Sequence, residues 1–277
     1  DEVVAGGPFD NSRTKLQKGS LITAIDGEKL EAGKDYFPLL NDKVGKRLLV
    51  SFRTASGEQV DEVIRPISSS ALNDLLYKRW VKQRAEEVER VSKGTLGYVH
   101  IPSMGDPSFR TVYSDVMGKY YQKKGIVIDI RYNGGGRLHE DIEAFFTGKH
   151  YADQVVRDRQ YSEMSSRRWN RPSVLVTCEA DYSNAHGTPW VYQHLKVGKV
   201  VGMPVAGTMT SVNWVTLLDP SVYFGIPAVG FRLFDGRYLE NTQMEPDVVV
   251  PLDPTKVLQG VDTQIEKAVE VLRAETK

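Results

Sequence analysis

The sequence predicts an α/β fold with a largely parallel sheet, preceded by a small β-rich unit. From Thr95 onward, short apolar runs alternate with segments of helical periodicity, the pattern of strands joined by crossover helices. Within that region Gly125 to Ile130 is rich in β-branched residues and reads as a strand buried on both faces. Before residue 66 the pattern is of strands and tight turns.

In the first unit, Gly19 to Leu30 reads as a strand, an Asp26-Gly27 turn and a strand restart. Tyr36 to Asn41 fits a short helix, and Arg47 to Thr54 with Gln59 to Ile64 fits a hairpin. A charged helix is expected over Ala71 to Ser92, with Ser70 as N-cap, an apolar stripe through Leu72, Leu75, Leu76, Trp80 and Val88, and Gly94 as the stop. The expected organisation is therefore 1–66, a connecting helix over 67–94, and a core over 95–277.

In the core the expected strands are Leu96 to Ile101, Gly125 to Ile130, Ser173 to Cys178 and Lys199 to Val201, with strand-rich sequence from Trp214 to Val250. The expected helices are Ser108 to Tyr121, Leu138 to Phe146, Asn184 to Leu195 and Thr255 to Ala274. Val155 to Asn170, charged and with little periodicity, is expected to be a long surface loop.

Composition narrows the function. The chain has 36 basic and 36 acidic residues, so its formal charge of zero gives no support for nucleic-acid or anionic-membrane binding. No apolar run approaches the ~18 residues of a membrane span. Cys178 is the single cysteine, which excludes an internal disulfide and a cysteine-based zinc site; its apolar run favours a buried structural thiol. No metal or other cofactor is expected. The chain opens on Asp1 with no signal-like segment, so a mature or trimmed fragment is expected and no compartment can be read.

The most informative stretch is the end of the buried strand, Arg131-Tyr132-Asn133-Gly134-Gly135-Gly136. Three glycines leave backbone N–H groups uncovered where a sheet of this class usually carries its site. A phosphate loop would need Gly-Lys-Ser/Thr, and Arg137-Leu138 follows instead; a Gly-x-Gly-x-x-Gly fingerprint is also absent. An oxyanion hole needs neither, and it requires a nucleophile on a neighbouring strand end. Ser183 falls at the junction between the strand ending at Cys178 and the following helix, a position from which a side chain projects into a cleft. The alternative for Ser183 is a plain helix N-cap.

Four ordered motifs carry a family resemblance: Gly94-Thr95-Leu96-Gly97-Tyr98-Val99-His100-Ile101-Pro102 with Met104-Gly105, the Ile128-to-Gly136 turn, Glu179-Ala180-Asp181-Tyr182-Ser183-Asn184, and Glu240-Asn241 with Glu245-Pro246-Asp247-Val248. In this order they resemble the core of tricorn proteases, relatives of the C-terminal processing serine proteases. Gly19-Ser20-Leu21-Ile22 with Ile25-Asp26-Gly27 resembles the middle of a PDZ domain, incomplete at its N-terminus. The resemblance implies a ClpP/crotonase-like α/β sandwich preceded by a small β-rich PDZ-like domain. It implies hydrolysis of peptide bonds in peptide or unfolded-protein substrates, and a homo-oligomer in the full-length protein. It assigns Ser183 as nucleophile, the N–H groups of Gly136 and Asn184 as oxyanion hole, and Glu240 as the carboxylate supporting the catalytic histidine. Asp153 lies near an acidic residue that favours basic side chains in the specificity pocket, one position out of register, with Gln154 the alternative.

The general base is the departure. C-terminal processing proteases use a lysine about two dozen residues past the serine, and Gly202 to Met209 contains none. The tricorn type uses a histidine before its PDZ module, so the resemblance implies a base upstream of this chain. Of the five histidines, His186 is one helical turn past Ser183 and poorly placed to reach its hydroxyl in line; His100 fits a core position, His139 and His150 the surface near the cleft, and His194 a helix end. Two other readings remain: a non-catalytic PDZ-type peptide-binding scaffold, and an acyl-CoA enzyme of the crotonase type, which would need neither Ser183 nor a PDZ unit.

Overall fold

A computed structural model describes residues 2–276; Asp1 and Lys277, which bound the expected outer domains, lie outside the described residues. The chain forms two compact units, residues 1–82 and 83–277.

The first unit is a four-stranded antiparallel sheet of β1 (Leu21–Ile25), β2 (Glu28–Lys29), β3 (Leu48–Arg53) and β4 (Gln59–Ile64), in the order β2-β1-β3-β4. Asp26 and Gly27 both adopt positive φ, 48° and 83°, which is what a two-residue hairpin requires. Along β3, Leu48, Val50 and Phe52 alternate into the core beside Ile25. A 3-10 turn covers Phe37–Leu40, within the expected short helix.

Helix α1 spans Ser69–Ser92. Its cap is Ser68, whose hydroxyl accepts the Ala71 N–H at 3.1 Å, two residues before the expected Ser70. Ser68, Ser69 and Ser70 are chemically equivalent caps, so sequence alone could not choose among them. Gly94, at φ 77°, ends the helix by donating to the Glu89 carbonyl at 2.8 Å.

The second unit contains β5 (Leu96–His100), α2 (Asp106–Ser114), β6 (Gly125–Asp129), α3 (His139–Thr147), β7 (Ala152–Val156), β8 (Arg159–Met164), β9 (Ser173–Thr177), α4 (Asn184–His194), β10 (Lys199–Gly202), β11 (Ser211–Thr216), β12 (Tyr223–Val229), β13 (Val248–Val249), α5 (Pro254–Leu258) and α6 (Thr263–Glu275). Five strands form a parallel sheet in the order β13-β10-β9-β6-β5, with helices packed against it. Every residue of β5, β6 and β9 is buried, as their unbroken apolar runs predict. Strands β6 and β9 are neighbours, paired from Ile126–Ser173 to Asp129–Val176, so their C-terminal ends open side by side.

Three expectations are corrected. The loop expected over Val155 to Asn170 is largely the β7–β8 hairpin, turned by Arg157 and Asp158 at φ 49° and 60°. Its strands are solvent-facing, so no apolar alternation announced them. The expected helix Ser108 to Tyr121 begins at Asp106 and passes into a π-helical turn over Asp115–Lys119. The closing helix is two, broken at Gly260 (φ 79°) and restarted by Asp262, whose carboxylate accepts the Gln264 and Ile265 N–H groups at 3.1 Å each. Among the described residues no helix is long and apolar enough to cross a membrane.

Beneath the β6 end lies a buried ionic network. The Arg131 guanidinium meets Asp129 at 2.6 Å and Asp262 at 2.9 Å and donates to Gln264 at 2.9 Å, while the Tyr98 hydroxyl donates to Asp129. It ties the strand leading to the triple-glycine turn to the start of α6. Burial opposes the charges, but their mutual attraction keeps Asp129 below the usual carboxylate range and Arg131 well above the usual guanidinium value.

Candidate active site

The adjacency of β6 and β9 brings the triple-glycine turn against Ser183. At Gly135, φ is 95°, and a Cβ there would lie 2.6 Å from Ser183 Cβ and 3.1 Å from the Asn184 nitrogen. At Gly136, φ is 137°, and a Cβ would lie 2.1 Å from the Met104 carbonyl oxygen. Glycine is thus needed at both positions by conformation and by close approach.

Met104 and Gly136 form a short parallel bridge, in which the Met104 N–H donates to the Gly135 carbonyl at 2.9 Å and the Arg137 N–H to the Met104 carbonyl at 2.6 Å. In a parallel ladder the N–H of the residue between those two points away from the partner strand. The Gly136 N–H is therefore directed away from Met104.

Ser183 stands at the junction into α4 with φ 56° and ψ −120°, a conformation that a non-glycine residue rarely adopts. It is no ordinary N-cap, since its hydroxyl accepts no bond from the helix. Its N–H is tied to the Thr208 hydroxyl at 3.0 Å. The first-turn bonds of α4 begin with Ala185 donating to Tyr182 and His186 to Ser183, which leaves the Asn184 N–H at the positive end of the helix.

The Asn184 side chain reaches toward the glycine turn. Its Oδ1 accepts the Leu138 and His139 N–H groups at 2.9 and 3.2 Å, capping α3, and its Nδ2 lies 2.7 Å from His139 Nδ1. Glu240 accepts the Thr210 N–H at 2.7 Å, two residues from Thr208, and its charge is felt at His186. Asp153 is exposed on β7, bonded to His150 and Gln160 at 2.8 Å each, and no bond joins it to the Ser183 cluster. The structure therefore gathers Ser183, Asn184 and the Gly135-Gly136 turn, with Glu240 on the adjoining segment.

Four of the five histidines are engaged away from the Ser183 cluster. His100 Nε2 lies 3.1 Å from the Arg131 carbonyl, and burial pushes its pKa down. His186 is fully buried with Nε2 at 2.9 Å from the Thr242 carbonyl, and burial lowers its pKa too. His150 pairs with Asp153, and His194 stacks on Trp190. His139, expected at the surface, is half-buried and bonded to Asn184. Sequence reading missed it because the Asn184 contact spans 45 residues.

Residues without an assigned chemistry in the sequence hold the site together. Asn133 is fully buried, with Oδ1 accepting the Gly135 N–H at 2.8 Å and Nδ2 donating to the Ile101 carbonyl at 2.7 Å. Asp181 accepts the Cys178 N–H at 2.9 Å and the Asn133 N–H at 3.3 Å. Burial pushes Asp181 up to about 7 and Cys178 up to about 12, so the thiol is inert at neutral pH. Among the described residues no group of three or more His, Cys, Asp or Glu side chains could hold a metal ion.

An uncovered pair of strand-end N–H groups beside a strained serine is chemically able to support covalent acyl transfer. Residues 95–250, which contain all of these groups, match the model of peptidase family S41, and the chain belongs to that family of serine peptidases. Among individual proteins it is 27% identical over 261 residues to the tricorn protease of Thermoplasma acidophilum, covering 94% of this chain and 24% of that protein. It is 26% identical over 269 residues to a tricorn protease homolog of Saccharolobus solfataricus, covering 95% and 24%. A crystal structure of the tricorn protease superposes with a TM-score of 0.77 at 26% identity, over 95% of this chain and 26% of the other. The chain spans about a quarter of the length of these relatives.

Proposed function

We propose that this chain carries the nucleophile and the oxyanion hole of a tricorn-like serine peptidase, on a ClpP/crotonase-like core preceded by a PDZ-like unit. The observation that carries the proposal is the left-handed Ser183 packed against Gly135 and followed by the free Asn184 N–H. Ser183 Oγ attacks the scissile carbonyl carbon as a base removes its proton. The carbonyl oxygen becomes an oxyanion held by the Gly136 and Asn184 N–H groups; collapse breaks the C–N bond as the base returns its proton to the departing amine, and leaves an acyl-enzyme for water to hydrolyse. Because these donors meet the developing charge, they favour the transition state over the bound peptide.

The general base is a histidine from outside this stretch. His100, His150, His186 and His194 are bonded, stacked or paired with groups other than Ser183, His139 is held by Asn184 through Nδ1, and Gly202 to Met209 holds no lysine. Glu240 supports that histidine through the carboxylate oxygen that the Thr210 N–H does not use.

A fluorophosphonate probe tests this. The chain alone is expected to label slowly, with all labelling lost in Ser183→Ala, and a longer polypeptide that includes the histidine is expected to label fast. Brisk labelling of the chain alone, lost in Ser183→Ala, would place the base within it; labelling unaffected by Ser183→Ala would overturn the peptidase reading.

A further inference from the structure

We infer that Asn133 and Asp181 form a buried clamp whose role is to position the oxyanion hole, setting the Gly136 and Asn184 N–H groups toward one point. This rests on the peptidase reading above.

The two donors lie on different strand ends, Gly136 after β6 and Asn184 after β9. The sheet ladder does not reach either donor, because its last bond between the two strands runs from the Ile130 N–H to the Val176 carbonyl at 3.0 Å. Beyond that point the Asn184 side chain holds the start of α3, and the turn between Asp129 and Gly136 is held by a short set of backbone and side-chain bonds made by Asn133 and Asp181. Asn133 Oδ1 accepts the Gly135 N–H, which closes the turn one residue before Gly136. Asn133 Nδ2 donates to the Ile101 carbonyl, anchoring the same turn to the end of β5. The Asn133 carbonyl accepts the Tyr182 N–H at 2.9 Å, one residue before Ser183.

Asp181 completes the link from the other side. Its Oδ2 accepts the Cys178 N–H, which shapes the turn leaving β9, and its Oδ1 faces the Asn133 N–H across the gap. The Cys178 sulfur in turn accepts the Tyr132 N–H at 3.3 Å. Both side chains are at least nine-tenths buried, at 0% and 2% exposure. A buried polar side chain costs stability unless every bond is made, and an apolar residue could fill either space more cheaply. What an apolar residue cannot do is cross-link the two strand ends. No hydrogen bond joins either side chain to Ser183 Oγ, so Asn133 and Asp181 are positioning residues.

The test is the Ser183-dependent rate of fluorophosphonate labelling, together with amide NMR of the same protein. Asn133→Ala is expected to slow labelling by about tenfold or more, the effect of misplacing one donor. Asn133→Asp keeps the acceptor for the Gly135 N–H and is expected to recover part of that rate. Asp181→Asn, which keeps one acceptor oxygen, is expected to fall between wild type and Asp181→Ala. The Gly135, Gly136 and Asn184 amide resonances are expected to move in Asn133→Ala and Asp181→Ala while those of β5 do not. Equal rates in wild type and in folded Asn133→Ala and Asp181→Asn proteins would overturn the clamp. If the alanine variants fail to fold, Asn133→Asp and Asp181→Asn carry the test, and unchanged site amides and rates in both overturn it. Labelling that survives Ser183→Ala would instead overturn the peptidase reading.

Discussion

Asn184 and His139 are joined by a 2.7 Å hydrogen bond in which the side-chain amide of Asn184 donates to the imidazole Nδ1. The direction is fixed by the other end of the amide, whose oxygen accepts two backbone N–H groups at the start of α3. His139 is thereby held with its proton on Nε2. The residue that supplies the proposed second oxyanion donor through its backbone thus anchors the neighbouring helix through its side chain.

Replacing Asn184 by Ala is expected to lower stability by about 1–2 kcal/mol, the usual loss of a helix cap. The same change frees the segment that carries the donor, so Ser183 labelling is expected to slow although the backbone N–H remains. Chemical denaturation and the labelling rate check the two effects separately.

Ser183 holds a conformation that glycine adopts at little cost. Ser183→Ala keeps the Cβ and the strain, whereas Ser183→Gly removes it. Ser183→Gly is therefore expected to be more stable than Ser183→Ala by about 1 kcal/mol, with both inactive. Denaturant midpoints of the two variants decide it; equal midpoints would mean the serine is unstrained.

Asp181 gives a pH dependence of defined sign. Burial raises its folded-state pKa from 3.8 to about 7, so the folded protein binds this proton more tightly than the unfolded chain. The associated stabilisation is complete below the unfolded value and is lost as pH rises toward 7, by at most ~4 kcal/mol. Stability measured from pH 4 to 7 is expected to fall more steeply in wild type than in Asp181→Asn.

The buried pair Arg131–Asp262 is expected to be intolerant of single truncation. Asp262→Ala removes a guanidinium partner and the cap of α6 together, and is expected to cost about 3–5 kcal/mol, measured by equilibrium denaturation.

The sheet was legible because β5, β6 and β9 are buried on both faces, which writes their strands as apolar runs. The β7–β8 hairpin was illegible for the opposite reason: Val155, Val156 and Tyr161 are all exposed, so no period marks an inner face. Ser183 and the glycines could be read from local order along the chain. The Asn133–Asp181 and Asn184–His139 contacts could not, since they join segments 48 and 45 residues apart. Asp153 was placed by a motif one residue out of register, and its bonds run within its own hairpin region.

The three adjacent glycines give the sharpest contrast, because they are identical in sequence and different in space. A Cβ on Gly134 would meet nothing within 4 Å, and its φ lies outside the left-handed region, so Gly134→Ala is expected to be neutral in stability and labelling. A Cβ on Gly135 would collide with Ser183 Cβ and the Tyr182 carbonyl, forcing apart the two segments that form the proposed site. A Cβ on Gly136 would collide with the Met104 carbonyl and break the bridge that aims the Gly136 N–H. Both collisions involve backbone atoms that cannot swing aside as a side chain would. Gly135→Ala and Gly136→Ala are therefore expected to lose at least tenfold in Ser183 labelling, about 1.4 kcal/mol in transition-state terms, in protein that remains folded by circular dichroism. Equal labelling across the three alanine variants would show that the turn's geometry does not govern the reaction, and the oxyanion-hole assignment of Gly136 would fall with it.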